Sequence, residues 1–169
     1  MKLIDNSIEE LMNRTLQSLF EGNAIVDNLV YNLQDRRYFN LANALHEPIA
    51  HKLTSLADKV SDLMIKLGGR PVRYGMGDHA VKYEKVEDIF NVLYATLSNI
   101  RGQVIRTLSE AEMADNYEVK IFLEDFLNSE LLPLIAQVDE WVRILAEDKD
   151  AASFDRHIED YSHTLDIDD

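Results

Sequence analysis

The chain has 169 residues, 46% of them hydrophobic, and a formal net charge of −14, enough length for one domain that buries a core without staples. It contains no cysteine, which excludes disulfides, thiolate zinc sites and thiol nucleophiles. No apolar run approaches the about 18 residues of a membrane span and no basic stretch precedes an apolar one, so the expectation is a soluble, cytoplasmic protein.

The first helix is expected from Ser7, where Ser7-Ile8-Glu9-Glu10 reads as a capping box. Ile8, Leu11, Met12, Leu16, Leu19, Phe20, Val26, Leu29, Val30 and Leu33 follow at the three-and-four spacing of a buried stripe. Gln34 to Phe39, polar and arginine-rich, reads as a turn. The second helix carries Leu41, Leu45, Leu53, Leu56, Val60, Leu63, Met64 and Leu67, with Pro48 marking a first turn or a kink.

Leu67-Gly68-Gly69-Arg70-Pro71 then stops the pattern, because the glycines can adopt the left-handed geometry of a helix end and Pro71 prevents resumption. About 15 residues, Gly68 to Lys82, separate this break from the next pattern near Tyr83. Extended, they reach roughly 50 Å, whereas the preceding helix is only about 40 Å long. The connector can therefore run the length of a bundle and start the third helix parallel to the second. Two long helices, a long crossover and two more long helices make the ferritin-like arrangement.

The third helix is marked by Val86, Ile89, Phe90, Leu93, Leu97, Ile100, Val104, Ile105 and Leu108. Asp115-Asn116-Tyr117-Glu118 reads as the next cap. The fourth helix has Phe122, Phe126, Leu127, Leu134, Val138, Trp141 and Leu145, interrupted by Pro133. The bundle is assigned to residues 1–145 and an acidic C-terminal tail to 146–169, where Ala151 to Tyr161 either forms a short fifth helix or stays loose. The tail holds nine acidic residues against Lys149 and Arg156, a net −7 and half of the whole charge. With no Lys/Arg-rich arm at either end, direct DNA binding is disfavoured.

Local sequence agrees with this topology. Gly22-Asn23, Ala57-Asp58-Lys59, Leu67-Gly68-Gly69-Arg70-Pro71-Val72, Val86-Glu87-Asp88-Ile89 and Asn116-Tyr117-Glu118-Val119 resemble landmarks of bacterioferritins and of Dps, the miniature ferritins of stressed bacteria. Tyr38-Phe39-Asn40-Leu41 resembles the turn between the first two Dps helices. The resemblance spans roughly Leu16 to Leu145. It implies a four-helix fold, a homo-oligomer that in the family forms a hollow shell, iron oxidation by oxygen or peroxide, and ferric storage.

The same resemblance argues against the chemistry. Di-iron bundles use single carboxylates plus Glu-x-x-His pairs, whose spacing puts both ligands on one inward face. Carried over on the landmarks, the six ligand positions fall at Ala24, Leu53, Leu56, Leu97, Glu130 and Pro133, and Glu130 alone matches. The Dps inter-subunit histidines fall at Val30 and Ala42, whereas its carboxylates fall at Asp58 and Asp62. Asp58, Asp62 and Glu130 are thus the candidate metal residues, and iron is expected to bind weakly or not at all.

Each candidate has a plainer alternative. Asp58 and Asp62, four apart, form a solvated helix face, an inter-subunit salt bridge or a partial metal site. Glu130 is either buried without metal, with its carboxyl raised by desolvation, or turned to water by Pro133. His46-Glu47-Pro48-Ile49-Ala50-His51 resembles a zinc-protease motif only superficially, since its histidines are five apart. Glu47 and His51 share an α-helical face and read as an ordinary surface pair. His79 in the connector and His157 and His163 in the tail suggest loose metal affinity without a defined site. No phosphate-binding glycine loop and no nucleophile–base constellation occurs.

The leading expectation is a Dps- or ferritin-like oligomer related to iron storage or oxidative-stress protection, with a largely degenerate ferroxidase site, which binds iron weakly or forms a shell or partner surface without catalysing oxidation. One rival is an active ferroxidase whose ligands moved to subunit interfaces. The other is an interaction protein that kept only the scaffold.

Overall fold

The computed structural model describes residues 1–148 and 150–163. The last six residues of the acidic tail, 164–169, lie outside the described residues. The fold is all-α, with no strand among the described residues, and none of their helices is long and apolar enough to cross a membrane. In order, the helices are α1 (Asn6–Asp35), α2 (Phe39–Leu45), a π-helical turn (His46–His51), α3 (Lys52–Lys66), α4 (Val86–Met113), α5 (Tyr117–Asp125), a second π-turn (Phe126–Leu131), α6 (Leu132–Glu147) and α7 (Ala151–His157), continued by a 3₁₀ turn (Ile158–Tyr161).

The first π-turn contains Pro48, and the second ends two residues before Pro133. A proline has no N–H to donate, and its ring collides with the carbonyl four residues earlier. A wide turn relieves that collision without breaking the helix. Hence 39–66 and 117–147 remain single helical spans, α2 running through its turn into α3 and α5 through its turn into α6.

Three helix ends close in one way. Gly68, at φ +78°, sends its N–H to Ile65 O (3.0 Å), and Gly69 sends its own to Met64 O (2.8 Å). This paired closure consumes carbonyls that would otherwise be orphaned. Arg37 (φ 67°) and Asp115 (φ 52°) occupy the same left-handed position after α1 and α4. There the bonds are Arg37 N to Gln34 O and Tyr38 N to Leu33 O, then Asp115 N to Glu112 O and Asn116 N to Ala111 O. The expected glycine stop is found, and two non-glycine stops accompany it.

The connector from Leu67 to Lys85 runs along α1 for nearly its whole length. Glu9 Oε1 accepts from the Arg70 amide (2.7 Å), and Asn13 bonds both Arg70 O (3.1 Å) and Val72 N (2.8 Å). Gln17 donates to Gly75 O (3.3 Å), and the Arg73 guanidinium lies 4.1 Å above the Phe20 ring. Further on, Asn28 and Asn32 both donate to Val81 O (2.9 and 3.0 Å), Asn32 Oδ1 accepts from Tyr83 N (2.9 Å), and Arg36 donates to Glu84 O. From Glu9 to Arg36 is about 40 Å of helix. Glu9 therefore serves the connector, and the expected capping box is not formed: Asp5 is the N-cap residue, with no side-chain cap.

Directions follow from this route. Leu3 N bonds Leu67 O (2.8 Å), placing the end of α3 beside the start of α1. α4 starts where the connector leaves α1 and runs back along it. A buried Thr15–Thr107 hydroxyl pair (3.0 Å) links the two helices, and a Cβ on Gly22 would come within 2.8 Å of Ile100. Phe90 and Trp141 meet edge to face at 5.9 Å, so α6 ends beside the start of α4. One core joins all these elements and includes Phe154 and Ile158 of the C-terminal segment. That segment is tied down by Trp141 Nε1 and Gln137 Nε2 donating to Tyr161 O and by Asp155 accepting from the Leu41 amide (3.1 Å).

Two of these left-handed stops make opposite predictions. Gly68→Ala should lower unfolding free energy by about 1–2 kcal/mol, because positive φ strains any side chain there and its Cβ would meet Met1 O at 2.6 Å. Arg37→Gly should raise it by up to about 1 kcal/mol by releasing the same strain at an exposed position. Urea melts read both, and a Gly68→Ala midpoint equal to the parent's would contradict the first.

Candidate metal centre

The residues on the six di-iron positions do not fit such a centre. Leu53, Leu56 and Leu97 are fully buried core residues, and leucine offers iron no ligand atom. Ala24 and Pro133 are half-buried and equally unable to coordinate. Val30 and Ala42, on the Dps histidine positions, are buried within the same core. Asp58 and Asp62 lie exposed on α3.

Glu130 is on the second π-turn, its side chain only 17% exposed, and two ammonium groups hold it. Lys52 Nζ is 2.8 Å from Oε2 and Lys59 Nζ 2.5 Å from Oε1. Seven residues apart, the two lysines occupy one face of α3 two turns apart and bracket the carboxylate. Burial pushes the Glu130 carboxyl up, but the hydrogen bonds and charges of Lys52 and Lys59 together outweigh it and hold it below its ordinary value. Neither sequence reading of Glu130 survives. The carboxylate is mostly buried, yet its pKa falls, because two cations of another helix stand against it.

Among the described residues, one group of three or more ligand-type side chains comes together: His46, Glu47 and His51. All belong to the first π-turn. In a regular α-helix, residues five apart point about 140° away from each other. A π-turn closes its hydrogen bonds from i to i+5, which stacks those residues. His46 Nε2 accordingly lies 2.9 Å from His51 Nε2, with the rings edge to face at 4.4 Å. His51 Nδ1 lies 2.8 Å from Glu47 Oε2. The spacing that weighed against this motif is the spacing that the wide turn requires.

The neighbours of the cluster hold its backbone still. Ile49 and Ala50, on the inner side of the same turn, are fully buried. Asn23 of α1 donates to Ala50 O (2.8 Å). Lys52, next in sequence to His51, is drawn away to Glu130. Of the other histidines, His157 Nδ1 is 2.8 Å from Ser153 O, and His163 Nε2 is 3.6 Å from Glu140. His79 Nε2 is buried without a hydrogen bond.

No family model matches the chain, and no curated protein matches it.

The Lys52–Glu130–Lys59 group predicts a defined pH response. Since the native carboxyl ionises below its ordinary value of 4.5, its contribution is complete above that value and is lost as pH falls through the native one. Glu130→Gln should destabilise the protein by about 1–2 kcal/mol near neutrality, discounted for the partly exposed lysines. Its deficit should close on acidification below 4.5. Denaturant midpoints at several pH values measure this, and a deficit constant from neutral to acid would contradict it.

Proposed function

We propose that this chain is a ferritin-like four-helix bundle of the Dps or bacterioferritin kind, built as a homo-oligomer, whose core has lost the ferroxidase centre. On this reading it is related to iron storage or oxidative-stress protection through its scaffold and assembly surfaces, without catalysing iron oxidation itself. The long crossover that starts α4 parallel to α3 supports the topology.

The observation that carries the loss of chemistry is Glu130. The one carboxylate matching a di-iron ligand is neutralised by Lys52 and Lys59, and leucines with no exposed surface fill three of the other ligand positions. An iron ion placed there would meet two ammonium charges and no ligand atom from the side chains on the other five positions. The net charge of −14 also disfavours DNA protection by direct contact, while the absence of cysteine agrees with a reducing, cytosolic setting.

Anaerobic ferrous titration followed by oxygen exposure tests this, with ferric growth followed in the near ultraviolet and assembly size by light scattering. Iron should oxidise no faster than in buffer, and the protein should run as a homo-oligomer. Rapid ferric growth abolished by Glu130→Gln would overturn the reading, and a monomer at all concentrations would remove its oligomeric part.

A further inference from the structure

We propose that the π-turn of the second helical span is a surface site for one late divalent transition-metal ion, Zn²⁺ being the reference probe. Nε2 of His46 and Nε2 of His51 are its ligands, and Glu47 is the carboxylate that orients His51. This site is separate from the core positions considered above and does not depend on the ferritin-like reading.

The proton arrangement is self-consistent. A carboxylate only accepts, so His51 Nδ1 carries the hydrogen that Glu47 receives at 2.8 Å. With His51 neutral, its Nε2 is a lone pair, and in the contact at 2.9 Å His46 Nε2 then carries the hydrogen between the rings. If His46 shifts that hydrogen to its Nδ1, two lone pairs converge on the space the proton held. A cation suits that space, because it relieves the repulsion of two facing lone pairs.

Distances suit a metal. With Zn–N bonds of about 2.0–2.1 Å, two nitrogens on a tetrahedral ion stand about 3.3 Å apart. The pair therefore has to open by about 0.4 Å, which small rotations of exposed rings supply. The Glu47 bond to the far nitrogen of His51 is the outer carboxylate commonly found behind metal-binding histidines, where it fixes the tautomer and raises ligand basicity. An ordinary Glu47–His51 surface pair explains none of the His46 convergence. That convergence comes from the wide turn, itself held by Ile49 and Ala50 in the core and by Asn23 on the Ala50 carbonyl. Sites carried on such rigid backbone are already close to their liganded geometry.

Imidazole nitrogen selects the class of ion. It suits Zn²⁺, Cu²⁺ and Ni²⁺, while Mg²⁺ and Ca²⁺ prefer oxygen donors. Water completes the coordination, since all three residues reach the surface.

Calorimetric titration of the full chain with ZnCl₂ and, separately, MgCl₂ is the test. One saturable Zn²⁺ per chain is expected, with no Mg²⁺ binding at the same concentration. His46→Gln and His51→Gln should each weaken zinc binding at least about tenfold, and Glu47→Gln about tenfold, while Asp58→Asn/Asp62→Asn should leave it unchanged. Thermal melts confirm that the variants fold. Copper electron paramagnetic resonance on the unmutated chain gives a second readout, in which hyperfine splitting from two imidazole nitrogens is expected. Zinc binding that persists in the His46→Gln/His51→Gln double variant, the absence of any saturable zinc site, or a copper spectrum with no nitrogen splitting would overturn the proposal.

Discussion

The constraint on which the fold depends is that the crossover segment, lacking helix or sheet, must still satisfy its backbone polar groups. α1 does this with side chains. Glu9, Asn13, Gln17, Asn28, Asn32 and Arg36 meet the connector in ascending order. Their spacing, four residues repeated with one eleven-residue step, describes a row that winds about half way round a helix of 3.6 residues per turn. Beside this row α1 presents its apolar residues to α3 and α4. Glu9 is held below the usual carboxylate range chiefly by the Lys2 ammonium and then by the Arg70 amide, so the first rung of the row is charged and fixed. Because the connector climbs the full helix, α4 can begin only at the far end and must descend beside α1.

Proline accounts for the other departures from regularity. Pro48 and Pro133 each lie in a long helical span that a simple kink could have split. One wide turn per proline keeps both spans continuous, at the expense of helical phase. Residues before and after each turn then face directions that α-helical counting assigns wrongly. Both pieces of candidate chemistry lie on these turns, the histidine pair on one and Glu130 on the other.

Between the helices the interior is close to uniformly apolar, and several of its few polar residues are paired within it. Thr15 and Thr107 bond each other as well as backbone carbonyls of their own helices. Gln137 and Trp141 share the Tyr161 carbonyl, which fastens the C-terminal segment so that its Phe154 packs edge to face on Phe90. A buried carboxylate without a partner would be costly in such surroundings. Glu130 is tolerated because Lys52 and Lys59 supply two charge-assisted hydrogen bonds from the neighbouring helix. The same pairing removes it from the donors that a metal would need.

The sequence by itself determined the all-α class, the positions of the long helices, most core residues and the glycine stop at Gly68. It also determined the reach of the crossover, since each of these depends on local periodicity or backbone chemistry within a few residues. The polar row on α1 was equally present in the sequence, at a spacing close to the helix period, but amides at that spacing look solvated until a partner strand of chain is laid over them. Left-handed geometry at Arg37 and Asp115 had no glycine to announce it. Only the tertiary structure decided that Lys52 and Lys59 close on Glu130, because that contact joins residues 71 and 78 positions apart on different helices. It alone decided that His46 meets His51, because the width of one turn at Pro48 sets the angle between them and sequence spacing does not reveal that width.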